Sequence, residues 1–388
     1  MSVFASIAVP PELQEAVSER AWLEALLEAE RALANAESLA GVVPPAAAAA
    51  IAEQCDADRF DWSVLAAEGR AVGTPVEPLV RALRAAVGGD DARFVHYGAT
   101  SQDVLDTAAM LVARDALALI APELDRVTAG CARLAREHRA TVAAARTLLQ
   151  QAVPTTFGLR AAGWLVTVLD ARRLLARVEP AAQLGGAAGT LAALGSEGPE
   201  VLRLFALELE LAEPTLPWHA NRVPVAELGS ALDAVAGALA KIGADVVLLS
   251  AFGEVAEAEA GGSSTMPHKR NPVGSILARA AALQVHAHAS VLTGGLAGEL
   301  ERAAGAWHAE WDALAAALAL TGAAAAAIRR VVEGLEIDAS RMRANIDPAV
   351  MSEKTAFEGG EELDPASYLG AADAFVDRAL DRWEKEGG

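Results

Sequence analysis

The chain has 388 residues, long for a single hydrophobic core, so two or three domains are expected. Its formal net charge of −20 excludes a general nucleic-acid binder, which presents a basic face to phosphates, so an anionic substrate needs locally concentrated cations. Hydrophobic residues make up 53%, many of them alanine, but the most apolar stretch, Ala313–Ile328, is shorter than the roughly 20 residues that cross a bilayer.

That stretch reads as a buried bundle helix, and no membrane partner is expected. Met1–Pro10 lacks the basic, apolar and cleavage regions of a secretory signal. Cys55 and Cys131 have neither a disulfide framework nor metal-type spacing, so a reducing cytoplasm is the expected location.

In chain order, Pro11–Ala40, Leu105–Ala140, Thr156–Val178, Val225–Phe252, Pro272–Leu296 and Ala309–Leu335 are rich in Ala, Leu, Glu and Arg, which are strong helix formers. β-branched runs of period two are nearly absent, which argues against a sheet-based core. Segments longer than 20 residues belong to bundles packed along their whole length, so an all-α long-helix bundle and a homo-oligomer are expected.

Between the helices, Gly73-Thr74-Pro75 and Val95–Ser101 read as loops, Pro154 as a helix start and Gly185–Gly189 as a break. Glu213–Pro224, with three prolines, is no regular helix. Asp347–Pro365 reads as irregular and Ala366–Trp383 as a terminal helix. Three domains follow, 1–105, 106–340 and a short 341–388.

The most informative segment is Gly261-Gly262-Ser263-Ser264-Thr265-Met266-Pro267-His268-Lys269-Arg270-Asn271-Pro272. Small residues and three hydroxyls precede a basic cluster that leads into a helix. Glycines bring backbone N–H groups close to an anion, and Lys269 and Asn271 near a helix start are placed to hold a carboxylate with help from the dipole. By composition alone, a solvated loop with a helix cap is an equal reading. Likewise, His96-Tyr97-Gly98-Ala99-Thr100-Ser101-Gln102-Asp103 reads alone as a loop whose Thr-Ser pair caps a helix.

The first segment resembles, almost letter for letter, the signature of the fumarase/aspartase superfamily, Gly-Ser-Ser-x-Met-Pro-x-Lys-x-Asn-Pro. That resemblance implies Ser263 as catalytic base, Lys269 and Asn271 as carboxylate ligands, and Gly262, Ser264, Thr265 and Met266 as the mobile loop. In the second segment it implies that Thr100, Ser101 and His96 lie at the substrate. A third, Arg146-Thr147-Leu148-Leu149-Gln150-Gln151, has Leu148 where adenylosuccinate-lyase-like members carry a general-acid histidine, and Gln151 where a second histidine often sits. This form is similar to the 3-carboxy-cis,cis-muconate cycloisomerase branch and leaves Gln150 and Thr147 as polar contacts.

Gly73–Arg81, Pro217–Arg222 and Glu301–Trp311 resemble the same branch. Arg222 and Arg302 suit bidentate carboxylate binding, while His219 and His308 suit either proton transfer or a structural hydrogen bond. Gly185–Gly189 does not match a dinucleotide fingerprint, and His286 and His288 point to different helix faces, so neither a cofactor nor a metal is expected.

The resemblance implies a small polycarboxylate substrate and a homotetramer whose sites are shared between subunits. It implies interconversion of 3-carboxy-cis,cis-muconate and 4-carboxymuconolactone through an aci-carboxylate. Two alternatives stay open: a lyase releasing fumarate or a related acid from a succinyl adduct, and a catalytically silent homologue. The latter draws on the short segment after residue 347, which replaces most of a small third domain.

Overall fold

A computed structural model describes the chain except residues 1–3, 260, 262–265, 267–268, 359–363 and 388. Helix dominates, as the composition requires. The Ser101–Glu137, Val223–Ala251, Val273–Gly294 and Ala306–Glu333 helices run for 37, 29, 22 and 28 residues. The apolar Ala313–Ile328 stretch lies inside the last of these, and its Leu314, Ala317, Leu318, Ala324 and Ile328 are buried.

The chain divides into two compact units built from discontinuous segments. The first gathers residues 1–119, 176–232 and 286–319. There the Glu19–Leu39 helix packs on Pro45–Gln54 and Gly198–Glu208. Its buried Trp22, Leu23, Leu26, Leu27 and Leu33 recur at helical spacing and form the stripe that drives this packing. The expected single helix over Pro11–Ala40 is broken, because the Ser18 hydroxyl accepts from the Ala21 N–H at 3.1 Å and starts a new helix.

The second unit gathers residues 120–175, 233–285 and 320–388. Its Phe157–Leu175 helix packs against the terminal Ala372–Lys385 helix. Gly130 allows close helix approach here, since a side chain on it would meet Val332 Cγ2 at 2.5 Å.

Two short antiparallel ribbons interrupt the helical pattern in this unit. Val142–Thr147 pairs with Gln150–Thr156, and Val255–Glu257 pairs with Leu335–Ile337. Pro154 therefore does not start a helix: it sits in a two-stranded ribbon opposite Ala144, where a missing N–H is tolerated. The helix begins at Phe157, with the Thr156 hydroxyl accepting from the Leu159 N–H at 3.0 Å. The segment expected to be irregular contains a short Ser352–Glu358 helix, and the terminal helix begins only at Ala372, after Gly370 turns with φ 52°.

Candidate active site

In the first unit, polar residues collect where the Ser101–Glu137 helix starts. The chain enters that helix through His96 and Gly98, with φ of 60° and 70°. A histidine held in the left-handed region must be fixed by its surroundings. Glu30 does this: it is buried, and its Oε1 lies 2.6 Å from Nδ1 of His96. Burial alone would lower the pKa of His96, but the charge and hydrogen bond of Glu30, with Asp103 adding to them, outweigh it and the net displacement is upward. Arg302 Nη2 donates to Thr100 Oγ1 at 3.1 Å, which joins an expected cation to an expected hydroxyl, and half-buried Ser101 follows directly.

Asp103 organises this start. One oxygen accepts from the Gly185 N–H at 2.8 Å, the other from Gly186 and Thr100 N–H groups at 2.9 Å. Nε2 of His219 lies 2.6 Å from Asp103 Oδ1. His219 is buried, so of its two sequence readings the structural hydrogen bond holds, and a proton-transfer role facing substrate does not. The break at Gly185–Gly189 supplies the N–H groups that neutralise a buried carboxylate.

Arg222 corrects a second expectation. It is buried between two acids: Nη1 and Nη2 reach Asp106 at 2.7 and 3.1 Å, while Nε and Nη2 reach Glu310. Four of the five guanidinium N–H groups are thereby spent, so Arg222 holds the interior rather than a substrate carboxylate. Trp307 Nε1 completes the cluster by donating to Asp106 at 2.9 Å. The next residue, His308, is exposed, its ring 5.0 Å from both Trp307 and Trp311. A side chain on Gly73 would come within 3.6 Å of its Nε2, so the Gly73-Thr74-Pro75 loop faces it.

In the second unit, the signature loop is closed at its base. Gly261 and Asn271 exchange two backbone hydrogen bonds at 3.0 Å. Gly261 is required there, because a side chain would meet Val273 Cγ2 at 2.6 Å. Lys269 is exposed and its N–H donates to Met266 at 3.0 Å; Met266 is exposed and Asn271 half-buried. Gly262, Ser263, Ser264 and Thr265, which include the expected base, lie outside the described residues.

The helix start after the loop is occupied by the protein itself. Glu257 accepts from the Gly274 and Ser275 N–H groups, both at 2.9 Å. The dipole of the Val273–Gly294 helix is thus matched to an internal carboxylate, and the expectation that it assists substrate binding is corrected. Arg270 braces the same base through Glu336 at 2.8 and 3.0 Å and the Glu257 carbonyl at 2.9 Å.

The first ribbon ends in a two-residue turn at Leu148 and Leu149, both with positive φ, 50° and 64°. Arg146 anchors it: the guanidinium pairs with buried Glu254 through both nitrogens and lies 4.3 Å from the Phe252 ring. Gln151 is held by the backbone of Asn345 at 2.8 Å and Asp347 at 2.9 Å, while Gln150 is exposed. Glu30, Asp103, Glu254 and Glu257 escaped the sequence reading. Only Asp103 left a signal, as an acid in a first helical turn.

A family model described as "Lyase" matches residues 8–287. A nitrosuccinate lyase of Streptomyces davaonensis is 44% identical, covering 95% of this chain and 92% of that protein. The alignment runs for 435 positions, more than the 388 residues here, so that relative carries residues this chain lacks. A 3-carboxy-cis,cis-muconate cycloisomerase of Bradyrhizobium diazoefficiens is 43% identical over 95% of this chain and 85% of its own. The crystal structure of a 3-carboxy-cis,cis-muconate lactonizing enzyme from Pseudomonas putida superimposes with a TM-score of 0.90 at 35% identity, covering 100% of both chains.

Proposed function

The chain belongs to the lyase family of the fumarase/aspartase superfamily, and we propose that within it the chain interconverts 3-carboxy-cis,cis-muconate and 4-carboxymuconolactone. One observation separates this reading from adenylosuccinate-lyase-like chemistry. The turn where adenylosuccinate-lyase-like members hold a general-acid histidine presents Leu148, with no titrating group on it. A reaction run at such a site needs a leaving group that departs as a stable anion. In the lactone-opening direction that group is the substrate's own carboxylate, which leaves without being protonated.

Ser263 is assigned the proton transfer. In ring closure a substrate carboxylate oxygen attacks the double bond, an aci-carboxylate forms, and Ser263 delivers a proton to the carbon beside it. In the reverse direction the alkoxide of Ser263 removes that proton and the C–O bond breaks. A serine serves this way only when water is excluded and fixed dipoles stabilise its alkoxide. Gly261 and Asn271 clamp the two ends of the segment that bears Ser263, and exposed Lys269 lies beside that clamp. Thr100, Ser101 and Arg302 are assigned to a substrate carboxylate, with charge building on the aci-carboxylate met by the same kind of donors.

The 44% identity to a nitrosuccinate lyase favours a second reading, elimination from a nitro-substituted succinate. Nitrite, like a carboxylate, is a weakly basic anion and leaves without an acid, so Leu148 fits this chemistry equally. Ultraviolet assays with both substrates separate the two: lactone formation is expected, and fumarate release from nitrosuccinate alone would replace the first reading with the second. Ser263→Ala is expected to lose at least about a hundredfold in kcat on whichever substrate turns over, the scale of a general acid–base contribution. Retained turnover would remove Ser263 from the proton transfer.

A further inference from the structure

Two buried acids that the mechanism above does not use lie on the Glu19–Leu39 helix, near His96. Glu30 has no exposed side-chain surface and its Oε1 lies 2.6 Å from Nδ1 of His96. Its Oε2 has no hydrogen-bond partner among the described residues. Glu37, two turns further on, is buried, and neither of its carboxyl oxygens is partnered among those residues. Burial, reinforced by the Glu30 charge, pushes Glu37 up to about 9, so it is a neutral acid at physiological pH.

The other charges facing the ring come from two further helices. Asp103, in the first turn of Ser101–Glu137, favours a charged His96; Arg84, on Val76–Val87, opposes it while donating to the Val95 carbonyl at 3.1 Å. A neutral imidazole facing Glu30 would keep its proton on Nδ1 and leave Nε2 a bare acceptor, which repels a carboxylate. Only the imidazolium donates from both nitrogens. Nε2 has no protein partner among the described residues, the side chain keeps 12% exposure, and the Thr100–Arg302 contact lies on the same loop and helix start.

We infer that Glu30 is a positioning residue: its buried carboxylate fixes Nδ1 of His96 and holds the ring as an imidazolium whose Nε2–H is offered to a substrate carboxylate. The inference rests on reading the first unit as a polycarboxylate site.

The test uses Glu30→Gln, which keeps the shape and removes the charge. In protein labelled with [13Cε1]histidine, with His96 assigned through His96→Gln, the His96 titration midpoint is expected to fall by about one pH unit or more. An unchanged midpoint overturns the inference. This readout needs no turnover, so it decides the role of Glu30 even if the proposed substrate fails.

Calorimetry with tricarballylate at pH 7.5 tests the second half of the inference. Affinity is expected to fall about tenfold in Glu30→Gln, the scale of one charge-assisted hydrogen bond, and to recover in Glu30→Asp, which keeps the charge. Equal affinity in all three proteins, or a loss in Glu30→Gln with His96 titrating normally, would leave Glu30 a merely structural residue and overturn the proposal. Failure of the unchanged protein to bind tricarballylate would count against the polycarboxylate reading itself.

Discussion

At the scale of single residues, burial separates the cations that hold the protein together from those free to meet a substrate. Arg222 and Arg302 look alike in the sequence. Arg222 is enclosed by Asp106 and Glu310, whereas Arg302 is exposed and touches only Thr100 among the described hydrogen bonds. Removing one partner of a buried charge cluster leaves the others uncompensated, a loss of about 3–5 kcal/mol. Arg222→Ala is expected to lose that much in urea unfolding. Arg302→Ala, at an exposed position, is expected to change unfolding by no more than about 0.5 kcal/mol while raising KM. Equal unfolding curves for Arg222→Ala and the unchanged protein would restore Arg222 as a candidate ligand.

At the scale of elements, the Leu148-Leu149 turn carries the strain. A two-residue hairpin turn with positive φ at both positions is the setting where Asn and Gly are favoured, because a β-carbon there crowds the backbone. Leucine at both positions costs about 1–2 kcal/mol each, and neither side chain recovers that by burial: Leu148 is 97% and Leu149 68% exposed. Replacing the pair by Leu148→Asn with Leu149→Gly is expected to raise the thermal midpoint by several degrees. An unchanged or lowered midpoint would mean that the leucines are covered in the assembled protein and that their contacts offset the strain. The anchor at Arg146 and Glu254 shows why the turn stays in place, since these residues bind 108 positions apart in the chain.

At the scale of the whole molecule, the long helices leave apolar side chains uncovered. Leu283, Ile276 and Val273 on one, and Phe252 and Leu248 at the end of another, are exposed. Clusters of this kind on bundle helices are buried by association, and closed symmetry is the usual form it takes. Sedimentation is expected to give a species of about four times the 39.9 kDa chain mass, with sites completed across subunits. A monomer at micromolar concentration would remove the shared-site reading.

Much of this protein was legible before any coordinates. Alanine, leucine and glutamate in long runs dictate helices, because helix propensity and periodicity are local properties; the signature segment and the Thr100-Ser101 start mark the family. The ribbon at Pro154 was not legible, because a two-stranded pairing draws on few residues and a weak period. Nor were the fates of His219 and Arg222, or the parts played by Glu30 and Glu257. Each depends on what lies beside the residue in space, at separations of 66 residues for Glu30 and His96 and 116 for Asp106 and Arg222. The sequence by itself determined which residue types were available to the site; only the tertiary structure, through burial and the pairing of charges, decided which were free to act.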